Sequence, residues 1–257
     1  MSRTALSTDG YEHYMSRVSD AFSAKDFAGL RREFDQLEPD EYAPAGVNRF
    51  RRYGNGIILP WQQNQASHWL PVVNDGAGHG RAGYDQGGNN PDHISVRYFH
   101  ALSDSVKSNP ILLALIEEDF SRTFWHYHGQ PLPIYFGVHF VKLTSAGPSD
   151  WGISSPDFFH QDGEPFTFVH LIHRSKNMTG GVNFIGTIDC RNVRLEDVSS
   201  EQVLSQFTLT QTFESFAVHD PKVSHYVSPI IQQDDASAEL AERCVVLVDF
   251  SPTTQSL

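Results

Sequence analysis

Apolar residues follow two different spacings along this chain. In residues 11–38, Tyr14, Val18 and Phe22 recur at every fourth position, and Leu30, Phe34 and Leu37 continue at four and three. Side chains at that spacing share one face of a helix, so a helix is predicted there. A second amphipathic helix is predicted within residues 103–128, with Leu112, Leu115, Ile116, Phe120 and Phe124 on its apolar face. Asn109-Pro110 marks its start, because proline in a first turn has no needed N–H to lose. Residues 47–60 look extended, with Gly54 and Gly56 marking a turn or bulge. Residues 74–92, rich in glycine and asparagine, read as a long irregular segment, either a lid over a site or a surface insertion.

From Leu132 onward the spacing changes to period two and short apolar runs. Strands are predicted at 134–143, 166–173, 182–187, 207–213, 216–219, 226–231 and 244–250. In the first of these, Tyr135 and His139 share one face while Phe136, Val138 and Phe140 take the other. One of those faces should line an interior. Helices followed by many short strands suit an α+β fold, a double-sheet jelly roll with a helical layer supporting one sheet. A chain of 257 residues suits a single domain over 1–257. Its helical or mixed part covers about 1–129, and its strand-rich core about 130–257.

Composition narrows the function classes. Hydrophobic residues at 39% provide a real core, and charged residues at 19% are too few for a disordered chain. The net charge of −12, with no basic cluster longer than Arg51-Arg52, argues against nucleic acid and against an anionic membrane as partners. Two cysteines, Cys190 and Cys244, show neither metal-ligand spacing nor a disulfide framework, which suits a cytoplasmic protein. Cys244 lies in an apolar strand pattern and reads as a small buried hydrophobe. The polar N-terminus lacks the apolar run of a signal peptide, and no segment approaches the length of a membrane span. Sequence alone is silent on oligomeric state. Neither Gly-x-Ser-x-Gly nor His-Glu-x-x-His occurs, so nothing supports a serine hydrolase or zinc peptidase.

The candidate chemistry lies in His160-Gln161-Asp162 and in His225, within Val223-Ser224-His225-Tyr226-Val227-Ser228-Pro229-Ile230. Two imidazoles and one carboxylate can occupy one face of an octahedral metal and leave three positions open, the ligand set of non-heme Fe(II) oxygenases. The short His-x-Asp spacing lets one turn present two ligands, and the third must come from a different strand. His219 is the rival for that third place.

The pattern extends further. His160-Gln161-Asp162-Gly163 runs into 166–174, which ends in Arg174; then come Asn177, Gly180-Gly181, His225 and the Arg243-led strand to Phe250. This order resembles the 2-oxoglutarate/Fe(II)-dependent oxygenases, and within them the bacterial free-amino-acid hydroxylases typified by isoleucine dioxygenase. The likeness runs from about Gln130 to Phe250 and touches Arg51-Arg52-Tyr53-Gly54 upstream.

The resemblance implies a double-stranded β-helix core of cupin type and a metal held by His160, Asp162 and His225. It implies Fe(II), 2-oxoglutarate and O2 as cofactor and cosubstrates, and hydroxylation of a free L-amino acid or close derivative, with succinate and CO2 as coproducts. Related halogenases carry a small residue in place of Asp162, so its presence points to hydroxylation, desaturation or ring closure.

Arg243 is the candidate for the distal carboxylate of 2-oxoglutarate, since a planar guanidinium holds a carboxylate through two parallel hydrogen bonds. An acidic insertion at 232–242 lengthens its distance from His225. Arg174 is either a substrate-carboxylate binder or a structural ion-pair partner. Glu164 is either an ammonium partner or solvated, and His139 either borders the site or is an ordinary buried histidine. His170 and His173 are similarly ambiguous, and His126 and His128 read as packing residues at an aromatic-rich helix end. Two further readings stand beside hydroxylation: desaturation or oxidative cyclisation on the same scaffold, and a cupin-like non-redox metal protein.

Overall fold

The computed structural model describes residues 4–20, 22–62, 67–86, 95–125, 132–154, 156–233 and 239–252. A seven-stranded sheet dominates it. Its order is Tyr11–Met15, Glu214–His219, Phe166–Arg174, Ala241–Ser251, Ile134–Ser145, Arg49–Ile58 and Ser67–Trp69. Neighbours in this sheet run antiparallel throughout. A three-stranded sheet (Val203–Thr208, Val182–Thr187, Val223–Val227) and a two-stranded ladder (Met178–Gly180 with Ile230–Gln232) accompany it. The result is a mixed α/β fold with mostly antiparallel sheets. Strands from the N-terminal part, at both edges of the large sheet, complete the layer begun by the C-terminal ones.

Alternation along the strands separates two apolar layers. Phe136, Val138, Phe140, Phe166, Phe168, Val246, Val248 and Phe250 turn to one side, where they pack on Leu112, Leu115, Ile116 and Phe120 of the helix Pro110–Arg122. Asn109 caps this helix, accepting from the Ile111 amide at 2.9 Å. Ser23 and Asp26 form a capping box at the start of Ala24–Asp35, which supplies Leu30 and Phe34 to the same layer. Val141, Leu143, Val169, Leu171, Phe216 and Val245 turn to the other side and meet Ile185, Val223 and Ile230 from the small sheets. The face of His139 is therefore the one that lines an interior.

Four predicted elements differ from the structure. Residues 11–15 are an edge strand, registered on Glu214–Val218; Gly10, at φ +84°, interrupts helical geometry just before it, and the sheet offers the backbone a partner. Residues 74–92 are less irregular than expected, because Gly80–Tyr84 pairs with both Val73–Asn74 and Arg97–His100; residues 87–92 lie outside those described. The strand expected at 207–213 ends at Thr208: the Glu214 carboxylate accepts the amides of Thr210 and Gln211 at 2.7 and 3.0 Å, and Phe213 takes φ +66°. The run at 226–231 is split at Ser228-Pro229, where proline cannot donate to a ladder. Gly180, at φ +78°, faces that break: a Cβ there would lie 2.0 Å from the Pro229 carbonyl oxygen.

His170 belongs to the helix-facing layer. Its Nε2 is 2.8 Å from Asp119 Oδ2 on the helix, and its Nδ1 is 2.8 Å from Ser215 Oγ. Both members of the His170–Asp119 pair are completely buried. Asp119→Ala would leave the imidazole Nε2 without its partner in an apolar layer, so urea denaturation should show a loss of about 3 kcal/mol or more. Cys244 and Cys190 are buried and unpaired, and burial pushes the Cys244 thiol up to about 12, as suits a small hydrophobe. Among the described residues no helix is long and apolar enough to cross a membrane.

Candidate metal centre and active site

His160 and His225 face each other across an isolated antiparallel bridge. Each backbone N–H donates to the other residue's carbonyl at 2.9 Å, so the two imidazoles are brought together by main-chain pairing. Their ring centroids lie 4.2 Å apart. Asp162 Oδ1 is 3.6 Å from His160 Nε2, and Asp162 Oδ2 is 3.3 Å from His225 Nε2. One donor atom from each of the three residues falls within 4.8 Å of the other two.

The surroundings aim these donors. His160 Nδ1 donates to the Phe158 carbonyl at 3.0 Å, which leaves Nε2 as the free ligand atom. Thr167 Oγ1 donates to Asp162 Oδ2 at 3.2 Å, and Gln86 Nε2 reaches Asp162 Oδ1 at 3.4 Å. The Asp220 carboxylate accepts the Gly163 amide at 2.8 Å, and Gln161 donates to the Asp220 and Val223 carbonyls. The turn that carries His160 and Asp162 is thus tied to the strand that carries His225.

Electrostatics suit a cation at this point. Burial opposes charge on all three groups. It draws His160 down to about 4, with the neighbouring His225 charge acting in the same direction. Burial would also raise Asp162, but the two imidazoles outweigh it and hold its carboxyl below the usual range. Burial lowers His225 too, yet Asp162 overcomes this and stabilises the imidazolium. Binding a metal requires both imidazoles neutral and the carboxylate ionised.

A cavity opens from the triad along the inner face of the large sheet. Arg243, Val245, Leu247 and Asp249, alternate residues of one strand, all line it. Arg243 marks one end. It is 4% exposed, its Nε has no hydrogen-bond partner, and no acidic side chain pairs with it among the described residues. Burial, reinforced by the Arg174 charge, lowers it to about 10. A buried guanidinium beside another guanidinium calls for an anion, and the distal carboxylate of a dicarboxylate meets that need.

Arg174 pairs in register with Arg243, and its terminal nitrogens donate to the Gly180 carbonyl at 3.2 Å. It does not line the cavity wall, and neither does Glu164, which is buried with Oε2 3.5 Å from the Tyr84 hydroxyl. His139 does line the cavity. Arg51 donates to its Nδ1 at 2.6 Å, so its Nε2 carries the proton and donates to Asp249 Oδ2 at 3.1 Å. Gly137 makes room for that carboxylate: a Cβ there would sit 2.6 Å from it. His219 stacks on Phe166 at 4.8 Å, in the helix-facing layer, apart from the triad. His173 is half-buried at a strand end and lowered by burial and by Arg31. His126 and His128 lie outside the described residues.

Sequence reasoning did not single out Arg51, Tyr84, Gln86, Arg97 or Asp249 as wall residues of the cavity. For Arg51 and Asp249 a signal existed: each is a charge at an inward position of a strand pattern. For Gln86 and Arg97 there was none, because Gln86 lies within the segment read as irregular and Arg97 shortly after it.

Known proteins place this arrangement. The family model for the 2OG-Fe dioxygenase family matches residues 31–249. The L-isoleucine-4-hydroxylase of Bacillus thuringiensis is 29% identical over 223 residues, covering 85% of this chain and 80% of that protein. The 3(1)-hydroxy-L-isoleucine 4-dioxygenase of Pantoea ananatis is 26% identical over 270 residues, covering 96% and 94%. Among solved structures, a bsmA homologue from Methylobium petroleophilum shares the fold with a TM-score of 0.70 at 19% identity, covering 98% of this chain and 93% of that one. On the match across residues 31–249, the chain belongs to the 2OG-Fe dioxygenase family and is an oxygenase that uses Fe(II), 2-oxoglutarate and O2.

Proposed function

We propose that the protein hydroxylates an unactivated C–H of a free L-amino acid or close derivative, with Fe(II) held by His160, Asp162 and His225. The observation that carries the reading is the convergence of these three donors in a cavity whose wall also holds Arg243, buried with its Nε unpartnered. Arg243 binds the distal carboxylate of 2-oxoglutarate there. Bound Fe(II), with 2-oxoglutarate and O2, supplies the oxidant for C–H hydroxylation and releases succinate and CO2. The chain's own residues do the rest. Thr167 and Gln86 hold Asp162 in place, the Phe158 carbonyl sets the His160 tautomer, and the apolar wall of Val141, Val169, Val245 and Leu247 excludes water. The large sheet and the smaller sheets facing it form a double-stranded β-helix, within one domain spanning the chain. The amino-acid substrate class is supported by the two relatives named for isoleucine chemistry.

The test is to incubate iron-loaded protein with 2-oxoglutarate and a panel of amino acids. A free L-amino acid should stimulate succinate formation and gain one oxygen by mass spectrometry. Loss of two hydrogens instead would assign desaturation or cyclisation on the same site. The D-enantiomer should be much poorer, because inverting the α-centre with its charged groups anchored swings the side chain away from the metal. Turnover of peptide- or carrier-bound amino acids alone would overturn the substrate class and leave the oxygenase intact.

A further inference from the structure

Besides Arg243 and the Asp40-paired Arg49, two further guanidinium groups line the cavity. Arg51 and Arg97 both belong to its wall. Arg51 lies two strands across from Arg243, about 10 Å at ordinary strand spacing. It is also two residues further along, opposite Val141, which in turn faces Val245, whereas Arg243 faces Leu143. Its guanidinium turns toward the His139 row, away from Arg243. Arg97 comes from the strand Arg97–His100, which pairs with Gly80–Tyr84 outside the large sheet, and reaches the same wall.

Neither side chain has an acidic partner among the described residues. The neighbouring carboxylate, Asp40, makes its salt bridge to Arg49 at 2.6 Å and offsets the charges of Arg51 and Arg97 only from a distance, with no salt bridge to either. Arg52, next to Arg51, points the opposite way and pairs with Glu33 and Glu38 at 3.0 and 2.7 Å. Arg97 is 2% exposed, donates through one terminal nitrogen to Gln86, and has its Nη1 buried without a partner. Two like charges and an unmet donor facing a cavity are costly unless an anion completes them.

The geometry is rigid. The Arg51 guanidinium lies 4.4 Å from the Phe99 ring centroid, and that of Arg97 lies 5.2 Å from the Tyr84 centroid. Aromatic walls orient guanidinium planes and leave their edges for hydrogen bonding. His139 positions Arg51 from the other side, itself anchored by Asp249. Gln86 links the pair to the metal site, because its amide group joins Arg97 to Asp162.

We propose that Arg51 and Arg97 form the substrate's carboxylate site, so that the substrate is an amino acid with a free α-carboxylate. This rests on the amino-acid reading above. It assigns Arg243 and Arg174 to the cosubstrate end, and it excludes amides, esters and peptide-linked residues as good substrates. Arg51 and Arg97 bind, and His139 and Asp249 position.

The experiment is anaerobic calorimetric titration of protein loaded with Fe(II) and 2-oxoglutarate. The probes are the L-amino acid that gives most succinate and its α-carboxamide. Wild-type protein should bind the amide about thirty-fold more weakly, or worse. Arg97→Gln and Arg51→Lys should each weaken binding of the acid by about that factor and narrow the acid–amide difference, while the KM for 2-oxoglutarate moves far less. Circular dichroism melting verifies folding of the variants, and the wild-type comparison of acid with amide stands without them.

Equal binding of acid and amide by wild-type protein would overturn the proposal. Undiminished discrimination in folded variants would do the same. So would a dominant rise in the 2-oxoglutarate KM of Arg97→Gln, which would place the cosubstrate at this end. If no free amino acid stimulates wild-type succinate formation, the amino-acid reading itself fails, and the carboxylate site falls with it.

Discussion

Alanine at His160, Asp162 or His225 is expected to abolish turnover and to strip the protein of Fe(II). A three-ligand site has no protein donor to spare. Changing a residue that merely supports a metal ligand typically costs about ten- to a hundred-fold in affinity or activity, and loss of a ligand should exceed that. Iron per protein after gel filtration, measured beside succinate formation, reads both effects. His219→Ala is the control and should retain iron, because its ring packs on Phe166 and Phe124 in the helix-facing layer. Iron lost from the His219 variant but kept by the His225 variant would show that the third ligand is misassigned.

Arg243→Ala should chiefly raise the requirement for 2-oxoglutarate. Removing one partner of a buried charge-assisted pair typically costs about 2–5 kcal/mol, or roughly thirty-fold and upward in affinity. Arg243→Lys should fall between, since an ammonium keeps the charge but loses the planar two-point contact. The measurement is the KM for 2-oxoglutarate at saturating iron and amino acid. An unchanged value in a folded Arg243→Ala protein would remove the role from Arg243 and pass it to Arg174, its neighbour across the strand pair.

Both expectations come from residues that stood out in the sequence, and the reason is local chemistry. His160-Gln161-Asp162 advertises itself because two ligands two positions apart can share one turn. Arg243 does so because it opens an apolar strand, where an unpaired charge needs an explanation. The strands at 134–145, 166–174, 182–187 and 241–251 were equally readable, since a half-buried strand writes its two faces in alternate residues. The edge strand Tyr11–Met15 was not. Tyr14, Val18 and Phe22 have helical spacing, and only the exposed edge of Glu214–His219 offered the backbone a better arrangement.

The sequence by itself determined the sheet-rich second half, the two alternating faces of its strands, and the identity of the candidate metal donors and of Arg243. These depend on spacings of a few residues and on the chemistry of single side chains. Tertiary structure alone decided how His225 meets His160, because a main-chain bridge between distant segments brings the two together and leaves His219 in the other layer. It alone placed Arg174 beside Arg243 and away from the cavity wall, Glu164 against Tyr84, and Arg51 and Arg97 together at one wall. Strand register sets such meetings, and a register joins residues far apart in the chain that carry no local mark of their partners.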